Sequence, residues 1–199
     1  MFEAMMFVED DAQETFLKRL VVRLAAEAEV NLTLRVRSAH GGSGAVLNHL
    51  RNYVANWKAG REGSPAGLLV AVDANCHGYT KRRDHLDSKA GALKHLVIHA
   101  IPDPHIERWL LLDGEAFSQV VGRGCLAPDE KCEKQRYKRL LAKAVLDAGV
   151  QPLLGGVEYA EELAEKMNVQ RACDHDISFN RFVQELRMWL NGLKHDQPG

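Results

Sequence analysis

Three short apolar runs in the chain end on carboxylates. Ala4-Met5-Met6-Phe7-Val8 stops at Glu9. Leu68-Leu69-Val70-Ala71-Val72 stops at Asp73, which is followed by Ala74-Asn75. Leu96-Val97-Ile98-His99-Ala100-Ile101 leads into Pro102-Asp103-Pro104-His105-Ile106-Glu107. If these runs are neighbouring parallel strands, their carboxyl ends share one edge of a sheet, where ligands bind in open α/β folds. Carboxylates gathered there repel one another unless a cation sits among them, so the pattern predicts a Mg²⁺ or Mn²⁺ site. A hard divalent cation neutralises phosphate charge and activates an oxygen nucleophile, which are the two demands of phosphodiester hydrolysis or transfer. In Asp73-Ala74-Asn75, residues two apart leave a strand on the same side, so both side chains are expected to reach one metal or its waters. Asn75 offers a neutral oxygen where a second Asp would add charge, which weakens the expected affinity. The competing reading of each residue is structural, because Asp and Asn punctuate turns.

A basic stretch, Tyr79-Thr80-Lys81-Arg82-Arg83, follows the second carboxylate. Lys81, Arg82 and Arg83 beside a metal are placed to hold a phosphate backbone, and Tyr79 to stack on a base or sugar. The alternative is a helix start with solvated charges. His77 and His85 are further acid/base candidates. Gly41-Gly42-Ser43-Gly44 lacks the Lys-Ser/Thr of a P-loop and the spacing of a nucleophile elbow, so it reads as a strand-to-helix turn. The four cysteines, Cys76, Cys125, Cys132 and Cys173, form no CxxC pair. Reduced thiols are therefore expected, and Cys125, Cys132, Cys173 and His175 fit no common zinc module.

The elements that must position these groups alternate over the first half. After β-strand one, Asp10 or Asp11 caps a helix whose apolar face is Phe16, Leu17, Leu20, Val21 and Leu24, and Asp10 with Gln13 has capping-box spacing. Strand two is expected over Val30 to Val36, where Leu32, Leu34 and Val36 alternate with polar residues. Ser43 is expected to cap a second helix carrying Val46, Leu47, Leu50, Val54 and Trp57. The third run is continuous and apolar, as in a central strand buried on both faces. A loop and helix from His77 to Lys94 lead to strand four. This order predicts an α/β fold with a mostly parallel sheet flanked by helices.

Beyond Pro104 the chain becomes helical. A short buried helix with Ile106, Trp109, Leu110 and Leu112, Trp109 being a core residue, a loop from Gly122 to Glu130, helices over Tyr137 to Val145 and Glu158 to Met167, a last helix capped by Ser178, and a frayed tail from Lys194 to Gly199 are expected. We read one domain over 1–199, with an α/β core at 1–113 and a mainly helical extension at 114–199. The chain has 199 residues, 46% of them hydrophobic, and a formal net charge of -1. That balance excludes a strongly basic nucleic-acid coat. No apolar run reaches the length of a membrane span and no secretory leader pattern opens the chain, so no membrane partner and a cytoplasmic location are expected.

The motifs resemble the TOPRIM fold, the Rossmann-like catalytic domain of topoisomerases, primases and OLD-type defence nucleases. That family places a Glu at the end of its first strand and an Asp-x-Asp at the end of its third. Val8-Glu9 matches the first motif. Val72-Asp73-Ala74-Asn75 matches the second, with Asn75 in place of the second Asp. More closely, the chain is similar to a TOPRIM-like family of unknown function encoded beside AAA or ABC-type ATPases. The likeness rests on Glu9 with Glu14, on Pro102-Asp103-Pro104-His105-Ile106-Glu107-Arg108-Trp109-Leu110-Leu111, on Lys134, Tyr137 and Lys138, and on Ser178-Phe179. Asp10 stands where the family usually has Gly.

The resemblance implies a Mg²⁺- or Mn²⁺-dependent nuclease acting on DNA or RNA, the effector of a phage-defence system with a partner ATPase. Glu9 would be general acid/base or metal ligand, Asp73 the main ligand, Asn75 an auxiliary one and Glu107 a ligand directly or through water. Lys81, Arg82 and Arg83 would contact phosphate. Oligomeric state stays open. The rival reading is a catalytically degenerate regulatory or interaction subunit of an ATPase complex, and a third is a phosphotransfer or phosphatase enzyme using the same edge.

Overall fold

The structure, a computed structural model, describes residues 1–133 and 135–195. Lys134 of the expected helix start and the end of the expected frayed tail, 196–199, lie outside the described residues. Strands β1 (Phe2–Val8), β2 (Leu32–Ser38), β3 (Gly67–Ala71) and β4 (Val97–Ala100) form one sheet in the order β2-β1-β3-β4. Every neighbouring pair is parallel. Helices α1 (Asp11–Glu27), α2 (Gly42–Lys58) and α3 (Tyr79–Ala90) link the strands, and a 3-10 turn over Gly91–Leu96 enters β4.

The central strands are apolar because both faces are covered. Met6 and Val8 of β1 join the core under α1, whereas Met5 and Phe7 join the core under α2 and α3. That split is the two-residue period of a strand. On β2 the apolar positions Leu32, Leu34 and Val36 pack on the α1 side. Their neighbours meet charge instead: Arg35 pairs with Glu3 at 2.9 Å and Arg37 with Glu62 at 2.6 Å. The strand begins two residues later than expected, because the Val30 N–H closes the preceding turn on the Ala25 carbonyl at 2.8 Å.

The second half adds α4 (Ile106–Leu110), α5 (Gly114–Val121), α6 (Arg136–Asp147), a 3-10 turn (Val157–Tyr159), α7 (Ala160–Lys166), α8 (Val169–His175) and α9 (Ile177–His195). Buried residues of these helices belong to the same core as Met6, Val8 and α1. The short helices α5 and α8 escaped the periodicity reading. Each begins on a side-chain cap, Asp113 and Asn168, and the Asp113 carboxylate also accepts the Asn168 N–H at 2.7 Å. Two expected caps differ. Gly41, not Ser43, precedes α2 and offers no side chain. Asp176 caps α9 by accepting the Phe179 N–H at 2.7 Å, while Ser178 lies inside the helix.

Ser178 has another task. Its Oγ accepts the Trp109 indole N–H at 3.0 Å and the Asp103 N–H at 3.1 Å. Trp109 is fully buried, stacked on Phe182 at 5.5 Å and edge-on to Phe179 at 5.1 Å. Arg108 and Asp176 form a buried ion pair beside it. The segment after β4 is thereby fixed to the start of α9, which settles where His105 and Glu107 stand.

Candidate functional site

From β1 the chain moves outward to β2, then returns to β3 on the other side of β1. The carboxyl ends of β1 and β3 therefore form the switch point at which α/β sheets open a crevice. Glu9 directly follows β1, and Asp73 lies just past β3. Glu9 Oε1 accepts the Asp73 backbone N–H at 3.0 Å. Asp10 caps α1 by accepting the Gln13 N–H at 2.9 Å. The Gln13 side chain, fully buried, then bridges the two strand ends. Its Oε1 accepts the Glu9 N–H at 3.0 Å and its Nε2 donates to Asp73 Oδ1 at 3.0 Å. The expected capping box is thus displaced by one residue and turned into a brace for Asp73.

The third strand end closes on the same carboxylate. Pro102 and Pro104 carbonyls accept the Ala74 and Asn75 N–H groups at 2.9 and 3.0 Å, extending the β3–β4 pairing past both strands. The Ile106 N–H, an unpaired first-turn donor of α4, donates to Asp73 Oδ1 at 3.1 Å. His105 Nδ1 lies 3.1 Å from Asp73 Oδ2. Glu107 is buried, and its Oε2 has no hydrogen-bond partner. Lys138 of α6 approaches the other oxygen at 3.6 Å. The preceding residue, Tyr137, anchors α6 by accepting the Lys131 N–H at 2.7 Å and meeting the Asp129 carbonyl at 2.9 Å.

These groups share one electrostatic field. Burial, then the charge of Asp73, pushes Glu9 up to about 7. Burial also raises Asp73, against the hydrogen bond and charge of His105. Burial and Asp73 together raise Glu107. The hydrogen bond to Asp73 outweighs burial and raises His105. Burial is the first reason that each carboxyl resists ionisation, the charge of Asp73 adds to it at Glu9 and Glu107, and a bound cation would relieve all three. Among the described residues, no group of three or more His, Cys, Asp or Glu side chains is arranged to hold a metal ion. Asp73 is already engaged by Gln13, His105 and Ile106. The donor set nonetheless suits a hard cation, being all carboxylate oxygen with the buried Glu107 Oε2 left unpaired.

Asn75 does not stand beside the Asp73 carboxylate as a continuing strand would place it. The backbone turns left-handed at Asn75 (φ 48°) and Cys76 (φ 64°), and the Asn75 amide points back to the Asp73 carbonyl at 3.5 Å. The basic triplet divides. Arg82 folds back on the Ala74 carbonyl at 3.3 Å and acts on Glu9, Lys81 is exposed, and Arg83 faces Asp87 at 4.0 Å. His77 and His85 are exposed. Glu14 lines a separate surface cleft with Lys18 and Arg19. The expectation of four reduced thiols is corrected: Cys76 and Cys132 are disulfide-bonded, with Cα atoms 5.5 Å apart. That pairing also removes Cys132 from the set considered for zinc.

Sequence reasoning missed Gln13 as a brace, and His105 and Lys138 as charged neighbours of the carboxylates. It also passed over His99, a buried polar residue within an apolar run. His99 lies between Glu185 and Asp87, each 2.9 Å from a ring nitrogen, and is among the residues lining an open cleft of about 580 Å³. Its backbone N–H, on the outer edge of β4, also donates to Glu185 at 2.9 Å. Burial disfavours the imidazolium, but the two carboxylates outweigh it and raise His99 above its usual value.

No curated protein and no solved structure gives a significant match to the chain. A family model does, over residues 8–187, which takes in every strand end and brace described above. The chain belongs to the family described as a domain of unknown function, DUF4276.

Proposed function

We propose that the protein is a Mg²⁺- or Mn²⁺-dependent nuclease of TOPRIM type. The observation that carries the reading is the meeting of Glu9 and Asp73 at the switch point between β1 and β3, with Glu107, whose Oε2 has no hydrogen-bond partner, in their field. Glu9, Asp73 and Glu107 would hold the cation, and Asn75 would join them after turning its amide. When bound, such a cation neutralises phosphate charge and lowers the pKa of a water. Glu9, at about 7, is balanced to accept or return a proton near neutral pH. Lys81 and Arg82 would meet the phosphate backbone of DNA or RNA, with Arg83 farther along α3. By its resemblance, the protein would serve a phage-defence system as effector beside an AAA or ABC-type ATPase.

One observation favours a second reading, a degenerate interaction subunit of an ATPase complex. Asp73 is engaged on both oxygens by groups of the protein, as a structural hub would be. Calorimetric titration with Mn²⁺, and cleavage assays on plasmid, single-stranded DNA and RNA, separate the two. The nuclease reading expects binding and cleavage that are lost in Glu9→Gln and Asp73→Ala. Absence of both, alone and with the ATPase, would favour the subunit.

A further inference from the structure

We infer that Cys76 and Cys132 form a redox site whose oxidised state holds the carboxylate edge in register, an inference that rests on reading that edge as the reactive site. Cys76 closes the turn that carries Asp73 and Asn75. Cys132 belongs to the segment between α5 and α6, which has no regular secondary structure over 124–133. The bridge therefore joins two irregular stretches, 56 residues apart in sequence. One stretch sets Asn75. The other leads into α6, which brings Lys138 to Glu107 at 3.6 Å.

The turn at Asn75 and Cys76 needs such support. Two consecutive residues with Cβ atoms sit in the left-handed region, at φ 48° and 64°. That conformation persists only where the surroundings over-determine it. Two backbone hydrogen bonds help, from Asn75 to Pro104 at 3.0 Å and from His77 to Ala74 at 2.9 Å. The covalent tie of Cys76 is the third constraint. Both bridge residues are exposed, so a thiolate can reach either sulfur. The other two cysteines differ: burial raises both thiols, Cys125 up to about 11, which leaves them poor nucleophiles.

The co-reactant is a small dithiol or a thioredoxin-type protein dithiol. One of its thiolates attacks a bridge sulfur, the Cys76–Cys132 bond breaks and the released cysteine takes a proton. The reductant's second thiolate resolves the mixed disulfide, releasing the other cysteine, which is protonated in turn. Two electrons and two protons pass to the protein, and the reductant leaves as its own disulfide. Glutathione disulfide drives the reverse exchange, leaving as two glutathione thiols.

The experiment equilibrates the purified full chain in glutathione buffers of graded redox ratio. Thiols are trapped with a maleimide mass tag and peptides are mapped. Labelling is expected to rise by two thiols on reduction, with a Cys76–Cys132 cross-link in the oxidised form and no transition in Cys76→Ser. Limited proteolysis within 124–133 is expected to accelerate about tenfold on reduction, as a local opening equilibrium shifts. Mn²⁺ binding is expected to weaken on reduction in the wild type and to be insensitive to redox state in Cys132→Ser. Absence of the cross-link at every ratio would overturn the inference and leave the metal reading standing. Formation of the bridge with unchanged proteolysis and unchanged Mn²⁺ affinity would overturn it equally. If Mn²⁺ binds neither form, the proposed function fails, and the redox site is judged by labelling and proteolysis alone.

Discussion

Glu9 and Asp73 are joined by a hydrogen bond from the backbone of one to the side chain of the other, 3.0 Å long, across the carboxyl ends of the two central strands. Their charges repel, yet the contact holds them together. The Asp73 N–H favours ionised Glu9 while burial and the Asp73 charge oppose it. The outcome is a carboxyl balanced near neutrality rather than one fixed in either state.

That balance has a sign that can be measured. Glu9 titrates at about 7 in the folded chain, against an ordinary value of 4.5. Between these values the folded state keeps a proton that the unfolded state has lost. The contribution of Glu9 to stability is therefore complete below pH 4.5 and is lost as pH rises through 7. Glu9→Gln keeps an acceptor for the Asp73 N–H but cannot ionise. Its melting temperature, followed by calorimetry without divalent metal, should approach that of the wild type at the acid end and exceed it above neutrality. Parallel curves would refute the raised value.

Gln13 braces both strand ends from a fully buried position. Gln13→Leu leaves the Glu9 N–H without its partner, at a cost of about 1–3 kcal/mol for a buried group left unsatisfied, and takes from Asp73 Oδ1 one of its two donors, the Ile106 N–H remaining. Urea unfolding should show that loss. Mn²⁺ affinity should change more than stability alone explains if the brace orients Asp73, and should be unaltered if Gln13 only fills space.

His99 behaves in the opposite sense to a lone buried histidine. Its pairs with Glu185 and Asp87 raise it above 6.5, so its stabilising contribution is present below that pH and is lost as pH rises through the folded value. NMR titration of the ring should place its midpoint above the ordinary histidine value of 6.5. His99→Gln should flatten the alkaline fall in melting temperature. An equal fall in both proteins would assign the pH dependence elsewhere.

Gly67 opens β3 beneath Trp189. A Cβ there would lie 2.7 Å from the indole, whose N–H is held by the Ala66 carbonyl at 2.9 Å. Gly67→Ala is expected to cost about 1–3 kcal/mol by overpacking. Adding Trp189→Leu should restore part of that loss, giving a double mutant less destabilised than the sum of its parts. Additive effects would show that the ring is free to move aside.

The strands were legible because a parallel sheet covered on both faces selects continuous apolar runs, and the run from Leu68 to Val72 has no other simple explanation. The carboxylates that end them were legible for the same reason. Gln13 was legible only as the capping-box partner of Asp10, because its brace on Asp73 exists only once the return crossing brings the end of β3 beside α1. Asn75 was misplaced because the alternation of a strand was carried past Ala71 into a left-handed turn. The Cys76–Cys132 approach had no local signal at all, since cysteine spacing carries no information on how near two distant loops come. Trp109 was read as core, but its partner Ser178 was read as a cap, because the same residue type serves both purposes.

Three residues spaced along helix α9 reach back to earlier elements: Ser178 to Trp109 and Asp103, Glu185 to His99, and Trp189 to Ala66. At 1.5 Å per residue those contacts run along about 17 Å of one helix. Every one of them reaches back to chain made long before. During synthesis β4 would thus leave the ribosome with its outer edge bare and a histidine between absent partners, awaiting a helix still to be translated. A nascent chain in that condition is open to strand pairing with its neighbours until α9 is made.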